Sequence, residues 1–245
     1  MPGSPGRAVR GSGEAVAPGR REEDRSATKD DERSGTRAWR EAVVHPDNLQ
    51  SARKRVKANQ GSPGVDGRTV DHLAEPVRVH GQRLCEERLA GRSLPQPVRR
   101  VAIPKARGGT RTLGIPTAVD RLIQQAILQV LQPRFDPTFS EHSDGFRPGR
   151  RTHDAIDAAQ RHVTEGYAVV VDVDLEAFFD RVNHDVWMGR RAHRIEDKCL
   201  LGRIRRYLTA GMMAGGVVMA RNEGTPQGGP ITPPTQLTTS RGGAG

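Results

Sequence analysis

Asp174 follows the run Ala168-Val169-Val170-Val171-Asp172-Val173, which reads as an apolar strand delivering a carboxylate to its end. Burying such a group is costly unless it caps a turn or binds something. Asp174 is therefore a candidate binding residue, and it is equally well placed as a helix N-cap. Asp172 shares its face of the strand. A second segment, Gly224-Thr225-Pro226-Gln227-Gly228-Gly229-Pro230, is rich in glycine and carries one amide side chain. Glycines beside Gln227 let backbone and amide approach a base pair or sugar closely. Other chemistries are absent from the spacing. Cys85 and Cys199 are far apart and match no ligand pattern. His184 and the other histidines show neither metal nor triad spacing and read as surface or hydrogen-bonded residues.

The elements that must position these groups can be read in order. Residues 39–58 have a helical pattern, with Pro46-Asp47-Asn48-Leu49 as a start signal. Gly61-Ser62-Pro63-Gly64-Val65-Asp66-Gly67 is a turn-rich loop, followed by a short helical stretch near 70–90. Val98–Ile103 and Arg111–Ile115 flank Gly108-Gly109 and predict a β-hairpin. From Arg88 to Val119 there is no acidic residue but seven basic ones, namely Arg88, Arg92, Arg99, Arg100, Lys105, Arg107 and Arg111. Charge of one sign along a hairpin favours phosphate contact over a merely solvated face. Thr117-Ala118-Val119-Asp120 caps a helix whose Leu122, Ile123, Ala126, Ile127, Val130 and Leu131 form a core stripe, and Pro133 is expected to end it. Thr152 is expected to cap a helix carrying Ala155, Ile156, Ala159 and Val163. The 168–173 run predicts a strand buried on both faces. Residues 185–193 and 195–210 predict helices, and Gly215-Gly216 a second hairpin within 212–222.

Composition narrows the class. The chain has 245 residues, a net charge of +10 and a pI of about 10.6. Such a basic chain usually meets a polyanion, with nucleic acid the first candidate. Only 4% of residues are aromatic, so part of the length is expected to remain unpacked; residues 1–37 read as a disordered extension. Two cysteines without a disulfide framework, no apolar leader and no membrane-length run predict a cytoplasmic protein with no membrane partner.

Several segments in order resemble the group II intron-encoded reverse transcriptase/maturases. They are Asn59–Gly67, the hairpin ending Arg111-Thr112-Leu113-Gly114-Ile115-Pro116, the loop Gly145-Phe146-Arg147-Pro148-Gly149-Arg150, the Asp174 block and the Gln227 block. The resemblance covers about residues 42–230. It implies an α+β fold of reverse transcriptase-like fingers and an incomplete palm. The fingers region is expected over 38–165, the partial palm over 166–230 and a tail foreign to the family over 231–245. It implies that Asp174 is the catalytic carboxylate and a Mg²⁺ ligand, with the Leu175 carbonyl as a second contact. Phe179 would be the sugar gate against a 2′-hydroxyl, Lys105 and Arg111 would hold the incoming deoxynucleotide triphosphate, and Gln227 would touch the nucleotide and template pair. Arg99, Arg100, Arg107, Arg147 and Arg150 would contact nucleic acid. The implied partners are RNA, as intron or template, a DNA primer and deoxynucleotide triphosphates.

Two departures qualify the resemblance. Asp144 stands where the family usually has an aromatic residue. No Asp or Glu follows Glu223, and no Tyr-Ala-Asp-Asp motif is present. These residues predict a domain cut before its second acidic motif, through a frameshift near Pro230, and inactive alone. The alternatives are a non-catalytic RNA-binding fragment and a pseudogene product.

Overall fold

The computed structural model describes residues 38–231 except Ala106, Arg107 and Glu176, with the side chains of 74–80 and 82 left out. The expected disordered extension over 1–37 lies outside the described residues, as does the expected tail after 231. Helical residues 38–44 (α1) lead through His45 into α2 (Pro46–Ala58), which has proline at its first turn, where the missing N–H is not needed. Leu49, Ala52 and Val56 face the core at helical spacing. A 3₁₀ turn (Val70–Leu73) and α3 (Ala74–Leu89) follow. β1 (Val98–Pro104) and β2 (Thr110–Ile115) form the expected antiparallel hairpin, turning at Gly108 (φ +86°) and Gly109 (φ +81°).

The centre of the molecule is α4 (Ala118–Phe135). Its Leu122, Ile123, Ala126 and Ile127 are fully buried, against α2 on one side and Leu200, Ile204 and Leu208 of α7 (Lys198–Leu208) in the same cluster. Burying each such side chain contributes about 1.5–3 kcal/mol before entropy is counted. Thr117 caps α4, accepting from the Asp120 backbone N–H at 3.2 Å. Pro133 does not end this helix, which runs to Phe135. Proline removes only the bond to the Gln129 carbonyl, and so near the C-terminus the chain tightens into the 3₁₀ turn Asp136–Thr138. Nor is Thr152 a cap. In α5 (Thr152–Thr164) that position belongs to Arg151, whose N–H is taken by the Asp154 carboxylate at 2.7 Å.

α6 (His184–Ala192) and α7 are both capped by side chains, Asn183 and Asp197 respectively. β3 (Met212–Ala214) and β4 (Val217–Met219) make the second hairpin, turning at Gly215-Gly216. Sheet order is β2-β1-β3-β4, with β3 parallel to β1 through Val98↔Met212 and Arg99↔Met213. The fingers and partial-palm regions expected from sequence therefore share one sheet and one core cluster.

The strand expected over 168–173 is a correction. Residues 168–175 have no regular structure, and Val169, Val170, Val171 and Val173 are 79–83% exposed. An apolar strand needs hydrogen-bonded neighbours and cover on both faces. Among the described residues none lies beside it. α5 has a strong apolar stripe and no buried residue, with Ile156 and Val163 open to solvent. With no strand there, the expectation that Asp172 and Asp174 share a sheet face lapses too.

One polar node ties the core to the sheet. The Asp120 carboxylate, 1% exposed, accepts from Arg88 (3.1 Å), the Thr117 hydroxyl (2.8 Å) and the Gln96 backbone N–H (3.3 Å). Burial pushes its carboxyl above the usual range, opposed by Arg88 and by these hydrogen bonds. Asp120→Ala leaves the largely buried Arg88 with only its bond to the Leu94 carbonyl at 2.8 Å and is expected to lower unfolding free energy by about 3 kcal/mol. Urea titration checks it, and a loss below about 1 kcal/mol would contradict the node's importance. Amides of residues 169–173 are expected to exchange with solvent deuterium at nearly unstructured rates in the monomer.

Candidate nucleotide and nucleic-acid cradle

The glycine-rich segment works through backbone shape. The Gly224 N–H donates to the Val182 carbonyl at 2.8 Å and the Thr225 N–H to the Phe179 carbonyl at 2.6 Å. Gly224 has φ +77°, and a Cβ there would lie 2.8 Å from the Phe179 and Asp180 carbonyl oxygens. Buried His184 donates from Nε2 to the Gly224 carbonyl at 2.6 Å, which places the proton on Nε2. Three residues on, the Gln227 carbonyl accepts from the Gly114 N–H of β2 at 3.0 Å. A Cβ on Gly229 would meet Gln124 Oε1 at 2.5 Å. The loop thus staples the Phe179–His184 segment to the fingers hairpin and to α4.

That staple encloses an open cavity of about 590 Å³. Its walls include Arg111, Phe179 and Gln227, three residues singled out by sequence, joined by Arg121, Gln125 and Phe146. Arg111 is exposed, whereas Phe179 and Gln227 are half-buried. Phe178 meets Phe179 edge-on at 5.7 Å, steadying the ring. Strand register sorts the arginines of the hairpin. Arg99, Ile103, Arg111 and Leu113 fall on one face because Arg99 pairs with Ile115 and Ile103 with Arg111. Arg100 pairs with Gly114 and lies on the other face. Lys105 is exposed in the turn, its backbone N–H bonded to the Gly109 carbonyl. Arg107 lies outside the described residues.

Asp174 and Leu175 are not in this cavity wall. Both are exposed, and Asp174 Oδ1 accepts from the Leu175 N–H at 2.9 Å. Asp174 caps no helix; the chain turns at Ala177 (φ +50°) into a single 3₁₀ turn, Phe178–Asp180. Among the described residues no group of three or more His, Cys, Asp or Glu could hold a metal ion. These residues do not fit a two-ion centre, which needs several converging carboxylates.

The loop 145–150 has its own logic. Arg147 donates to both Asp136 carboxylate oxygens (3.0 and 3.2 Å) and to the carbonyls of Ser140, Ser143 and Asp136. Its donors are committed to folding that loop. Arg150 pairs with Asp144 at 3.1 Å, so the acidic residue at the family's aromatic position is neutralised locally. Arg121 and Gln125 escaped the sequence reading because attention fell on the apolar stripe of α4. The signal was there: Arg121, Gln125 and Leu128 recur at helical spacing and line the cavity together.

With the geometry in place, comparison with known proteins assigns the family. Residues 103–236, more than half of the chain, match the family described as "Reverse transcriptase (RNA-dependent DNA polymerase)". The chain therefore belongs to the reverse transcriptase family. It is 36% identical to protein YkfC of Escherichia coli, covering 78% of this chain and 52% of that protein. It is 32% identical to the group II intron-encoded protein LtrA of Lactococcus lactis, covering 81% of this chain and 33% of LtrA. The chain thus spans about half and a third of these relatives' lengths. The fold is similar to a chain of the partial Cas6-RT-Cas1–Cas2 complex, with TM-score 0.53 and 20% identity over 80% of this chain and 32% of that one. No helix among the described residues is long and apolar enough to cross a membrane.

The loop geometry gives a graded expectation. Gly67→Ala, at φ +67° in open space, should cost about 1–2 kcal/mol. Gly224→Ala adds backbone collisions and should cost clearly more, and should also weaken ligand binding at the cavity. Equal destabilisation of the two in urea titrations would contradict the staple.

Proposed function

We propose that the cavity is the nucleotide- and template-holding cradle of an RNA-directed DNA polymerase domain of the group II intron type. The observation that carries this is that Arg111, Phe179 and Gln227, from three separate stretches of sequence, line one cavity. The chemistry of each suits the task. A guanidinium on a hairpin can hold phosphate oxygens in bidentate fashion. An aromatic ring can pack on a sugar and disfavour a 2′-hydroxyl, and an amide can touch a base pair. Arg99 on the Arg111 face, with Lys105 in the adjacent turn, extends the positive surface along the hairpin. Arg100 and Arg150 would meet nucleic acid from outside the cavity, and Arg107 would add to the charge of the hairpin turn. Arg147 holds the loop that presents Arg150.

The ligands are RNA, a DNA primer and deoxynucleotide triphosphates. If a divalent cation such as Mg²⁺ were bound, Asp174 and the Leu175 carbonyl would be the groups holding it here, and it would supply charge neutralisation at the phosphate of the incoming nucleotide. Asp174 is this chain's contribution to that chemistry, and the Leu175 carbonyl lies next to it. No Asp or Glu follows Glu223 to complete a carboxylate set around Asp174. A non-catalytic RNA-binding role fits the same cradle, because binding needs only the arginines, the ring and the amide.

RNA binding by the purified chain should weaken steeply with salt through counterion release. Arg111→Gln should weaken it and lower the salt slope by about one. Filter binding across a salt series checks this, and undetectable binding at low salt would overturn the reading. Primer extension by this chain alone is not expected. Template-dependent extension abolished by Asp174→Ala would show that the carboxylate set is complete after all.

A further inference from the structure

A guanidinium withdrawn from water normally faces a carboxylate or a ring face. Arg88 has Asp120, Arg147 has Asp136, and Arg191 lies over the rings of Phe135 and Trp187. Among the described residues, two buried arginines lack such a partner. Arg203 donates one arm to the Ser93 carbonyl at 2.8 Å, leaves Nε and Nη2 unpartnered, and lies outside the lining of the open cavity. Arg121 lies in that lining. It is 7% exposed, yet it makes no ion pair among the described residues. One arm donates to the Ser62 carbonyl at 3.0 Å, and Nε has no hydrogen-bond partner. Asp66 acts on it only at a distance, and burial lowers its pKa. Its side chain lines the same open cavity as Arg111. Gly61 stands against it: a Cβ there would run into Arg121 Nη1, so the absence of a side chain makes room for the guanidinium.

We propose that Arg121 is a second phosphate-binding residue of the cavity, gripping the same phosphate-bearing ligand as Arg111 and fixing it against the 59–62 segment. This rests on the reading of the cavity as a nucleotide and nucleic-acid site. The fork shape of arginine explains how one side chain does both jobs. One arm, Nη2, is fixed on the Ser62 carbonyl and Nε is closed off from water, which leaves the Nη1 end as the donor that can meet a phosphate oxygen. Two guanidiniums lining one cavity from different elements raise the local positive potential, and an oxyanion bound there offsets the desolvation of Arg121. The phosphate could belong to a nucleoside triphosphate or to a nucleic-acid strand, and the chemistry recognised is the same.

The test uses the whole chain with two probes, inorganic tripolyphosphate and a short single-stranded RNA. Arg121→Gln is expected to weaken binding of at least one by roughly tenfold, the value of a hydrogen bond to a charged group. Loss confined to tripolyphosphate identifies the triphosphate. Loss confined to RNA, with a salt slope lower by about one, identifies a strand phosphate. The Arg121 Nε–H resonance of the unaltered chain, assigned with Arg121→Lys, provides a readout that needs no folded Gln variant. It is expected to shift on addition of the probe that binds. Affinities within about twofold of the unaltered chain, with salt slopes unchanged, would overturn the proposal, and so would an unmoved resonance at saturation. If Arg111→Gln weakens binding and Arg121→Gln does not, only this inference fails. If neither does, the cavity reading itself fails.

Discussion

Everything in this fold depends on how one carboxylate is kept out of water. Asp120 sits at the first turn of the central helix and is almost wholly buried. A charge there is tolerable only if its oxygens are taken up. Three segments do so: α3 through Arg88, the approach to β1 through Gln96, and the helix cap through Thr117. Satisfying Asp120 therefore fixes where the hairpin begins and how α4 points. Those two elements are two walls of the cavity, and the next residue in sequence, Arg121, is part of its lining. A polar requirement in the core thus becomes a geometric specification of the site.

The third wall is held by main chain. Gly224, Gly228 and Gly229 lie where a side chain would strike carbonyls of Phe179, Asp180 and Gly114 or the Gln124 amide. The close approach lets short hydrogen bonds join segments far apart in sequence, and Gln227 rides on that staple into the cavity beside Phe179. Positive potential then comes from the hairpin, whose register puts Arg99 and Arg111 on the same face. Shape comes from the backbone, and in the proposed function affinity for phosphate comes from the guanidiniums.

What could be read from the sequence follows the range of the forces involved. Both hairpins were legible because Gly108-Gly109 and Gly215-Gly216 encode their turns locally. The core stripe of α4 was legible because helical periodicity is local too. The Gln227 and Phe179 motifs pointed to residues that do meet. The run 168–173 misled because a strand is completed by partners, and its valines carry no information about whether those partners are present. Arg147 and Arg150 look alike as arginines in a loop, yet the first is saturated by Asp136 and three carbonyls and the second pairs with Asp144. Arg121 was hidden because a cation inside an apolar helix pattern reads as an interruption of the core until the cavity beside it is seen.

The central claim is that the space between β2, α4 and the 224–230 staple receives the nucleotide. Photo-crosslinking tests it most directly. An azido-deoxynucleoside triphosphate would be bound to the purified chain, irradiated, and the modified peptides identified by mass spectrometry. The account predicts labelling in the peptides carrying Arg111, Phe179 and Gln227, suppressed by excess unmodified deoxynucleotide. Competable labelling confined to the α5 or α6–α7 surface, with those peptides untouched, would contradict it.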